Sequence, residues 1–344
     1  MSGGARILFL PDAGTNVGGG HVMRCLTLAE AVTRAGGACA FAATPAALAV
    51  LEAFARTPID VLPLDGGLGA VAIASAAAAA AWTWNATWVV ADHYEFGPQE
   101  DAALALAAPD LMILDDLRRR HEFGVVVDSN VGRTPADYAG SEVLAGPRYA
   151  LVRAEFASGR LAALERRATD AAPERVLVSL GLSDAGAITA RVVNALLPAL
   201  GEARLDVVVG SAAASRAEVA ALAERDSRVA LHVDARDMAG LIAAADIGVG
   251  AGGSSVWERC TLGLPSLAVI VADNQRENTL ALAREGAALA VAPPSADFDA
   301  RLQEAFARLV SDDALRTQMS LSAAALCDGL GADRVAARML DPAP

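Results

Sequence analysis

The 344 residues are 54% hydrophobic and 20% charged, with a net charge of −13, which allows two buried cores of roughly 150 to 170 residues each. So acidic a chain lacks the basic face that nucleic acid or an anionic membrane would need, and any bound anion must be held locally. All 28 Lys/Arg positions are Arg, which excludes a lysine nucleophile and a lysine phosphate loop.

In chain order, RILFLP opens directly on a strand pattern, so no signal peptide is expected. Helix Val22 to Ala35, strand ACAFAA, helix Ala46 to Arg56, strand DVLPL, a helix near 70 to 81 and strand TWVVADHY follow. The run from Leu68 to Ala81 is short and interrupted, and no membrane span is expected. LMILDD and GVVVDSN continue the alternation, which signals βαβ units around a parallel sheet. Residues 157 to 174 are polar and lack a strand, and the interdomain link is placed there. The pattern then restarts with ERVLVSLG, a helix from Ile188 to Leu200, LDVVVG, a helix from Arg216 to Arg225, VALHV, a helix near Met238 to Ala245, DIGVG and SLAVIV. The expected architecture is α/β, with domains at 1–160 and 174–325 and residues 326–344 as a C-terminal helix packing back on the first.

Cys25, Cys39, Cys260 and Cys327 show neither C-x-x-C pairing nor metal spacing. They read as free thiols in a reducing, cytoplasmic compartment, with no metal site.

The most informative stretch is GAGGSSVWERCTLGLPSLAVIVADNQ, residues 250 to 275. Gly252 and Gly253 permit close backbone approach, Ser254 and Ser255 suit a helix cap, and the helix start favours an anion. Glu258, one turn on, does not suit phosphate but suits the paired hydroxyls of a ribose. Asp273-Asn274-Gln275 ends the next strand, either as a plain turn or with amides reaching sugar or pyrophosphate. In SLGLSDA, Ser183 and Asp184 read equally as phosphate contacts or as a cap.

In the first half, GTNVGGGHVMR places His21 behind three glycines at the end of the first strand. There a neutral imidazole can act as general base or acid. The loop matches neither a P-loop nor G-x-G-x-x-G, which ranks a dinucleotide oxidoreductase low. Asp92 and Tyr94, at a strand end, read as ligand contacts or loop residues; Asp115 and Asp116 read as capping or loop-ordering residues. His121 and His232, without visible glycine or acidic support, read as structural, and Asn130 reads either way.

Five segments, GGGHVMRCLTLA (18–29), DHY (92–94), ILDDLRRR (113–120), YALVRAEF (149–156) and residues 250–275, together resemble the UDP-sugar hydrolases of pseudaminic acid biosynthesis. Those are relatives of the GT-B glycosyltransferases. The resemblance implies a GT-B fold, two Rossmann-like parallel-sheet domains facing a cleft. It implies cleavage of UDP-2,4-diacetamido-2,4,6-trideoxy-β-L-altropyranose to UDP and free sugar, with no cofactor or required metal. His21 would be the base activating water, with Gly19, Gly20, Asp92, Tyr94, Asn274 and Gln275 toward the sugar. Gly252, Gly253, Ser254, Ser255, Glu258 and Ser183 would hold UDP. In GLSDAGAIT, Leu182 and Ala187 depart from the family's pattern. A GT-B glycosyltransferase using a related UDP-sugar donor is the alternative, and a non-catalytic binding module a third reading. Whether the protein is a monomer or a homodimer is open at this level.

Overall fold

The computed structural model describes residues 4–14, 17–138, 142–169, 172–293 and 295–341. It falls into two compact units, Met1–Val152 with Leu330–Pro344, and Arg153–Gly329.

In the first unit, strands β1 (Arg6–Pro11), β2 (Ala38–Ala43), β3 (Asp60–Pro63), β4 (Trp88–Asp92) and β5 (Asp110–Leu114) alternate with helices, and β6 (Val125–Asp128) and β7 (Glu142–Ala145) follow with no α-helix directly before them. The helices are α1 (Gly20–Arg34), α2 (Pro45–Phe54), α3 (Ala70–Trp84) and α4 (Pro98–Ala105). The sheet is parallel in the order β3-β2-β1-β4-β5-β6-β7. Successive residues of β1 feed opposite cores: Ile7 and Phe9 join Val22, Leu28 and Val32 of α1, whereas Leu8 and Leu10 join Ala74, Ala77 and Ala81 of α3. A sheet covered on both faces requires apolar residues at every position, which is why its strands read as continuous apolar runs.

The second unit repeats the plan. Strands β8 (Arg175–Ser179), β9 (Arg204–Val209), β10 (Val229–Val233), β11 (Ile247–Ala251), β12 (Ser266–Val269) and β13 (Leu289–Val291) form a parallel sheet in the order β10-β9-β8-β11-β12-β13. Its helices are α5 (Ala154–Arg167), α6 (Ile188–Leu196), α7 (Arg216–Arg225), α8 (Met238–Ala244), α9 (Ser255–Thr261), α10 (Arg276–Arg284), α11 (Phe298–Ser311) and α12 (Asp313–Leu326). In each sheet the chain starts in the middle, winds to one edge and returns to wind the other way. The strand order therefore reverses between β1 and β4, and between β8 and β11. Outside the carboxyl ends of such strands lies the crevice where α/β sheets bind ligands.

The units divide at Val152 and Arg153, and the segment expected to link them is largely helix α5, inside the second unit. Its polarity has a structural cause. Arg160 donates to the carbonyl oxygens of Thr261, Ala324 and Cys327, and Arg167 to those of Ile242, Ala245 and Leu262. These guanidinium groups occupy carbonyls at or near the ends of α8, α9 and α12 that the helices leave without internal partners.

The last helix, α13 (Gly331–Leu340), belongs to the first unit. Ala332, Val335, Ala336 and Met339 complete the core around α1. Gly331 begins it because a Cβ there would lie 2.2 Å from the Ala150 carbonyl oxygen. Among the described residues, no helix is long and apolar enough to cross a membrane. All four cysteines are free, and burial pushes the Cys260 thiol up to about 12, leaving it unreactive.

Candidate functional site

The first constellation stands at the β1/β4 reversal. Past β1, the Asp12 N–H donates to the Asp92 carbonyl at 2.8 Å, and Gly18, at φ 74°, donates to Gly14 at 2.8 Å. Thr15 and Asn16 of this loop lie outside the described residues. Gly19 precedes α1 and Gly20 opens it, placing His21 in the first helical turn, 3% exposed.

His21 Nδ1 hydrogen-bonds Asp92 Oδ1. Asp92 is wholly buried and also accepts from Arg24 Nε (2.9 Å) and Nη2 (2.7 Å). Arg24 Nη1 donates to Asp116 Oδ2 at 2.8 Å, which also accepts from the Tyr94 hydroxyl at 3.2 Å. The circuit closes where the Tyr94 ring stands edge-on to His21, centroids 4.3 Å apart at 86°. His21 Nδ1 also lies 3.0 Å from Arg24 Nη2, but the ionised Asp92 can only accept, so its bond to Nδ1 assigns the proton there and leaves Nε2 as the acceptor, with no hydrogen bond to it among the described residues.

Asp92 was expected toward the sugar, but both of its oxygens are taken by His21 and Arg24. Burial alone would raise its carboxyl, yet Arg24 and His21 outweigh that and hold it at about 2. A folded value below the usual 3.8 gives stability that is present above that pH and is lost as pH falls through the folded value. We expect about 2 kcal/mol of stability to disappear between roughly pH 4 and pH 2. Denaturant midpoints across that range, compared with Asp92→Asn, check this: an equally steep acid loss in the variant would refute it.

Asp115 orders its loop by accepting from the N–H groups of Leu117 and Arg119, both at 2.8 Å. His121 does have acidic support, buried between Asp101 (2.7 Å) and Asp115 (3.1 Å), and these partners outweigh burial to raise its pKa. His232 likewise meets Asp206 at 2.7 Å. Asp101 and Asp206 lie 20 and 26 positions from their histidines, on other elements, whereas Asp115 stands only 6 positions before His121. Asn130 is buried in loop contacts with Asp128 and the Asp116 carbonyl.

The second constellation stands at the β8/β11 reversal. The Gly252 N–H donates to Val269 O at 3.1 Å, and a Cβ on Gly252 would lie 1.9 Å from Thr279 Oγ1, so only glycine fits. A Cβ on Gly253 would approach Gln275 Nε2 at 3.4 Å, which places the glycine turn against Gln275. Asn274 and Gln275 belong to a 3-10 turn, Asp273–Gln275, with Asn274 exposed. Ser254 occupies the N-cap of α9 without a capping side-chain bond, because its backbone is already helical there (φ −56°, ψ −28°). The Ser255 hydroxyl instead accepts from Arg259 Nη1 at 3.3 Å.

Glu258 Oε1 accepts from Arg153 Nη2 at 3.1 Å, and Arg153 also meets Glu155 at 3.2 Å. Burial pushes the Glu258 carboxyl up even though Arg153 pulls it down. Ser183 is exposed in the loop after β8. Its neighbour Asp184 is buried, accepting from Thr189 N–H (2.9 Å), Thr189 Oγ1 (2.6 Å) and Ser215 N–H (3.1 Å). That makes Asp184 the loop's anchor. Ala187 sits at φ 51°, a left-handed position that glycine would occupy at lower cost.

The structure thus joins His21, Asp92 and Tyr94 in one unit, and Gly252, Gly253 and Gln275 in the other, while Ser183 follows β8, the strand beside β11, with no hydrogen bond to that group. Arg24, Arg153 and Thr279 are additions, and Asp116, read from the sequence as a cap or loop residue, joins the first group. Arg24 was accessible from spacing, three residues after His21 on the same helix face. Among the described residues, no cluster of three or more His, Cys, Asp or Glu has the arrangement of a metal site.

Comparison with known proteins agrees with this architecture. Residues 190–333 match the glycosyltransferase family 28 C-terminal domain. Over 203 residues, 58% of this chain and 59% of the relative, the chain is 28% identical to the spore coat polysaccharide biosynthesis protein SpsG of Bacillus subtilis. Over 257 residues, 72% of this chain and 58% of the relative, it is 31% identical to a UDP-N-acetylglucosamine--N-acetylmuramyl-(pentapeptide) pyrophosphoryl-undecaprenol N-acetylglucosamine transferase of Xanthomonas axonopodis pv. citri. The matches therefore span under two thirds of the length of these relatives. Among solved structures, MurG of Acinetobacter baumannii matches with a TM-score of 0.69 at 20% identity, covering 97% of this chain and 99% of that one. The fold is GT-B, with two parallel-sheet α/β domains.

Proposed function

We propose that this protein is a sugar-transferring enzyme that breaks the anomeric C–O bond of a UDP-sugar and delivers the sugar to a hydroxyl. The observation that carries this reading is the His21–Asp92 pair at the β1/β4 reversal, a buried carboxylate orienting an imidazole whose other nitrogen can accept a proton. His21 Nε2 takes the proton of the attacking hydroxyl as its oxygen bonds to the anomeric carbon, and UDP leaves with the electron pair of the broken bond. Asp92 stabilises the imidazolium that results, and Arg24 keeps Asp92 ionised.

Glu258 accepts the ribose hydroxyls. Gly252, Gly253, Ser254 and Ser255 offer the diphosphate backbone N–H and hydroxyl donors, with Asn274 and Gln275 toward pyrophosphate or sugar. Gly19, Gly20 and Tyr94 line the sugar side, and Ser183 adds a phosphate contact. The family 28 match and the activity named for the Xanthomonas relative support a sugar hydroxyl as acceptor.

A second reading has water as the acceptor, making the enzyme a hydrolase of a UDP-2,4-diacetamido-2,4,6-trideoxy sugar. The edge-on Tyr94 beside His21 favours it, since Tyr94 belongs to the DHY segment of that resemblance.

Purified full-length protein incubated with a panel of UDP-sugars, with and without sugar acceptors, separates the readings. UDP release that requires an acceptor supports transfer; UDP and free sugar appearing together without one supports hydrolysis. No UDP release under any condition, with no UDP binding by calorimetry, refutes both.

A further inference from the structure

Tyr94, whose ring stands edge-on to His21, lies in an irregular turn after β4, outside any helix or strand. Its hydroxyl meets Asp116, and its backbone is held by Arg119, from the loop after β5. Arg119 Nη1 donates to the carbonyl oxygens of His93 (2.7 Å), Tyr94 (3.1 Å) and Phe96 (2.7 Å). A guanidinium nitrogen has two N–H bonds, so one of them is shared between carbonyls.

Asp115 fixes the guanidinium in turn. Its Oδ1 accepts from Arg119 Nε at 3.1 Å and its Oδ2 from the Arg119 N–H at 2.8 Å. Behind Asp115 stands buried His121, braced by Asp101. Although burial opposes ionisation, His121 and Arg119 hold the Asp115 carboxyl well below the usual range, so the ion pair stays intact in neutral solution. Three backbone carbonyls of a five-residue-long turn are thus tied to one side chain that is itself immobilised. A lysine ammonium is a compact point charge and cannot present the same planar fork.

We propose that Arg119 is a positioning residue for the His21 site: by clamping residues 93 to 96 it sets the Tyr94 ring against the imidazole, and it acts on catalysis only through Tyr94. The kinetic half of this rests on the reading of His21 as general base; the geometric half does not.

Two measurements test it. In full-length protein labelled with 13C-histidine and free of substrate, the His21 ring resonances, assigned with His21→Ala, carry the ring-current displacement of Tyr94. Arg119→Gln is expected to move them toward their position in Tyr94→Leu, and the double variant to match Tyr94→Leu alone. An unmoved His21 signal in folded Arg119→Gln overturns the proposal. If that variant does not fold, Arg119→Lys decides: it keeps the charge opposite Asp115 and is expected to show a partial displacement. Loss of folding in both variants also overturns it, since Arg119 would then serve the fold as a whole.

In the kinetic arm, with whichever UDP-sugar the wild type cleaves, Arg119→Lys is expected to lower kcat roughly tenfold to a hundredfold with little change in KM. In the Tyr94→Leu background it is expected to have no further effect. Losses that multiply independently overturn the proposal. A wild type that cleaves no UDP-sugar refutes the proposed function, and the resonance experiment still decides the clamp.

Discussion

Replacing His21 with alanine is expected to slow sugar release from the UDP donor by roughly 10²–10⁴-fold, the usual contribution of a positioned general base. UDP affinity is expected to stay at the wild-type value, because the nucleotide contacts proposed above come from the second unit. Single-turnover rates measured beside UDP titrations on the same preparation separate the two effects. Asp92→Asn is expected to fall in the same range, since an amide can present its N–H to Nδ1 and favour the tautomer that leaves the proton on Nε2. The acid-stability loss described above belongs to the folded scaffold and is measured without substrate, so it is independent of this outcome. A His21→Ala enzyme that keeps wild-type turnover would remove His21 from the chemistry.

The second large effect is expected at Glu258. Its carboxylate is half-buried and already accepts one charged hydrogen bond, so a ribose diol would complete its acceptor capacity. Losing hydrogen bonds to a charged acceptor weakens binding by about 1.5–3 kcal/mol, or roughly tenfold to a hundredfold in UDP affinity for Glu258→Ala. Arg153 keeps its contact with Glu155 in that variant, so the fold should survive. The wild type is expected to prefer UDP over 2′-deoxy-UDP and the variant to bind the two alike. If calorimetry finds the discrimination undiminished in Glu258→Ala, the ribose does not lie on this helix.

The alternation of strands and helices was legible because both sheets are covered on two faces, so apolar runs such as ILFL and VLV carry through every position. Two short strands left no such trace, although β3, β6 and β12, of 4 residues each, did. β13 has 3 residues and β7 has 4, with Glu142 at its exposed start, too few to show a period. Helix α4 did carry a signal in Gly97-Pro98 with Glu100, whose carboxylate caps the Gly97 N–H at 3.0 Å, but its first turn is polar.

In the first constellation, the glycine loop marked His21 and a strand end marked Asp92, yet their pairing spans 71 positions and follows only from β1 and β4 being neighbours. Glu258 was marked by its helix, but its partner Arg153 lies 105 positions away and nothing local pointed to the pairing. The segment 157–174 read as a link because arginines that bind buried carbonyls have the same composition as arginines in solvent. Pattern distinguishes periodicity well, and it cannot distinguish where a charged side chain ends up.

The discontinuity of the first unit has a consequence for biosynthesis. Helix α13 is translated only after the whole of Arg153–Gly329, a delay of roughly 10 to 35 s at about 5–20 residues per second. Through that interval the nascent first unit carries an open apolar face on α1, where Ala332, Val335, Ala336 and Met339 will later settle. The second unit, continuous in the chain, has no such wait. The half that holds His21 therefore begins first on the ribosome and closes its core last, and during that gap it is the half that presents a chaperone with something to bind.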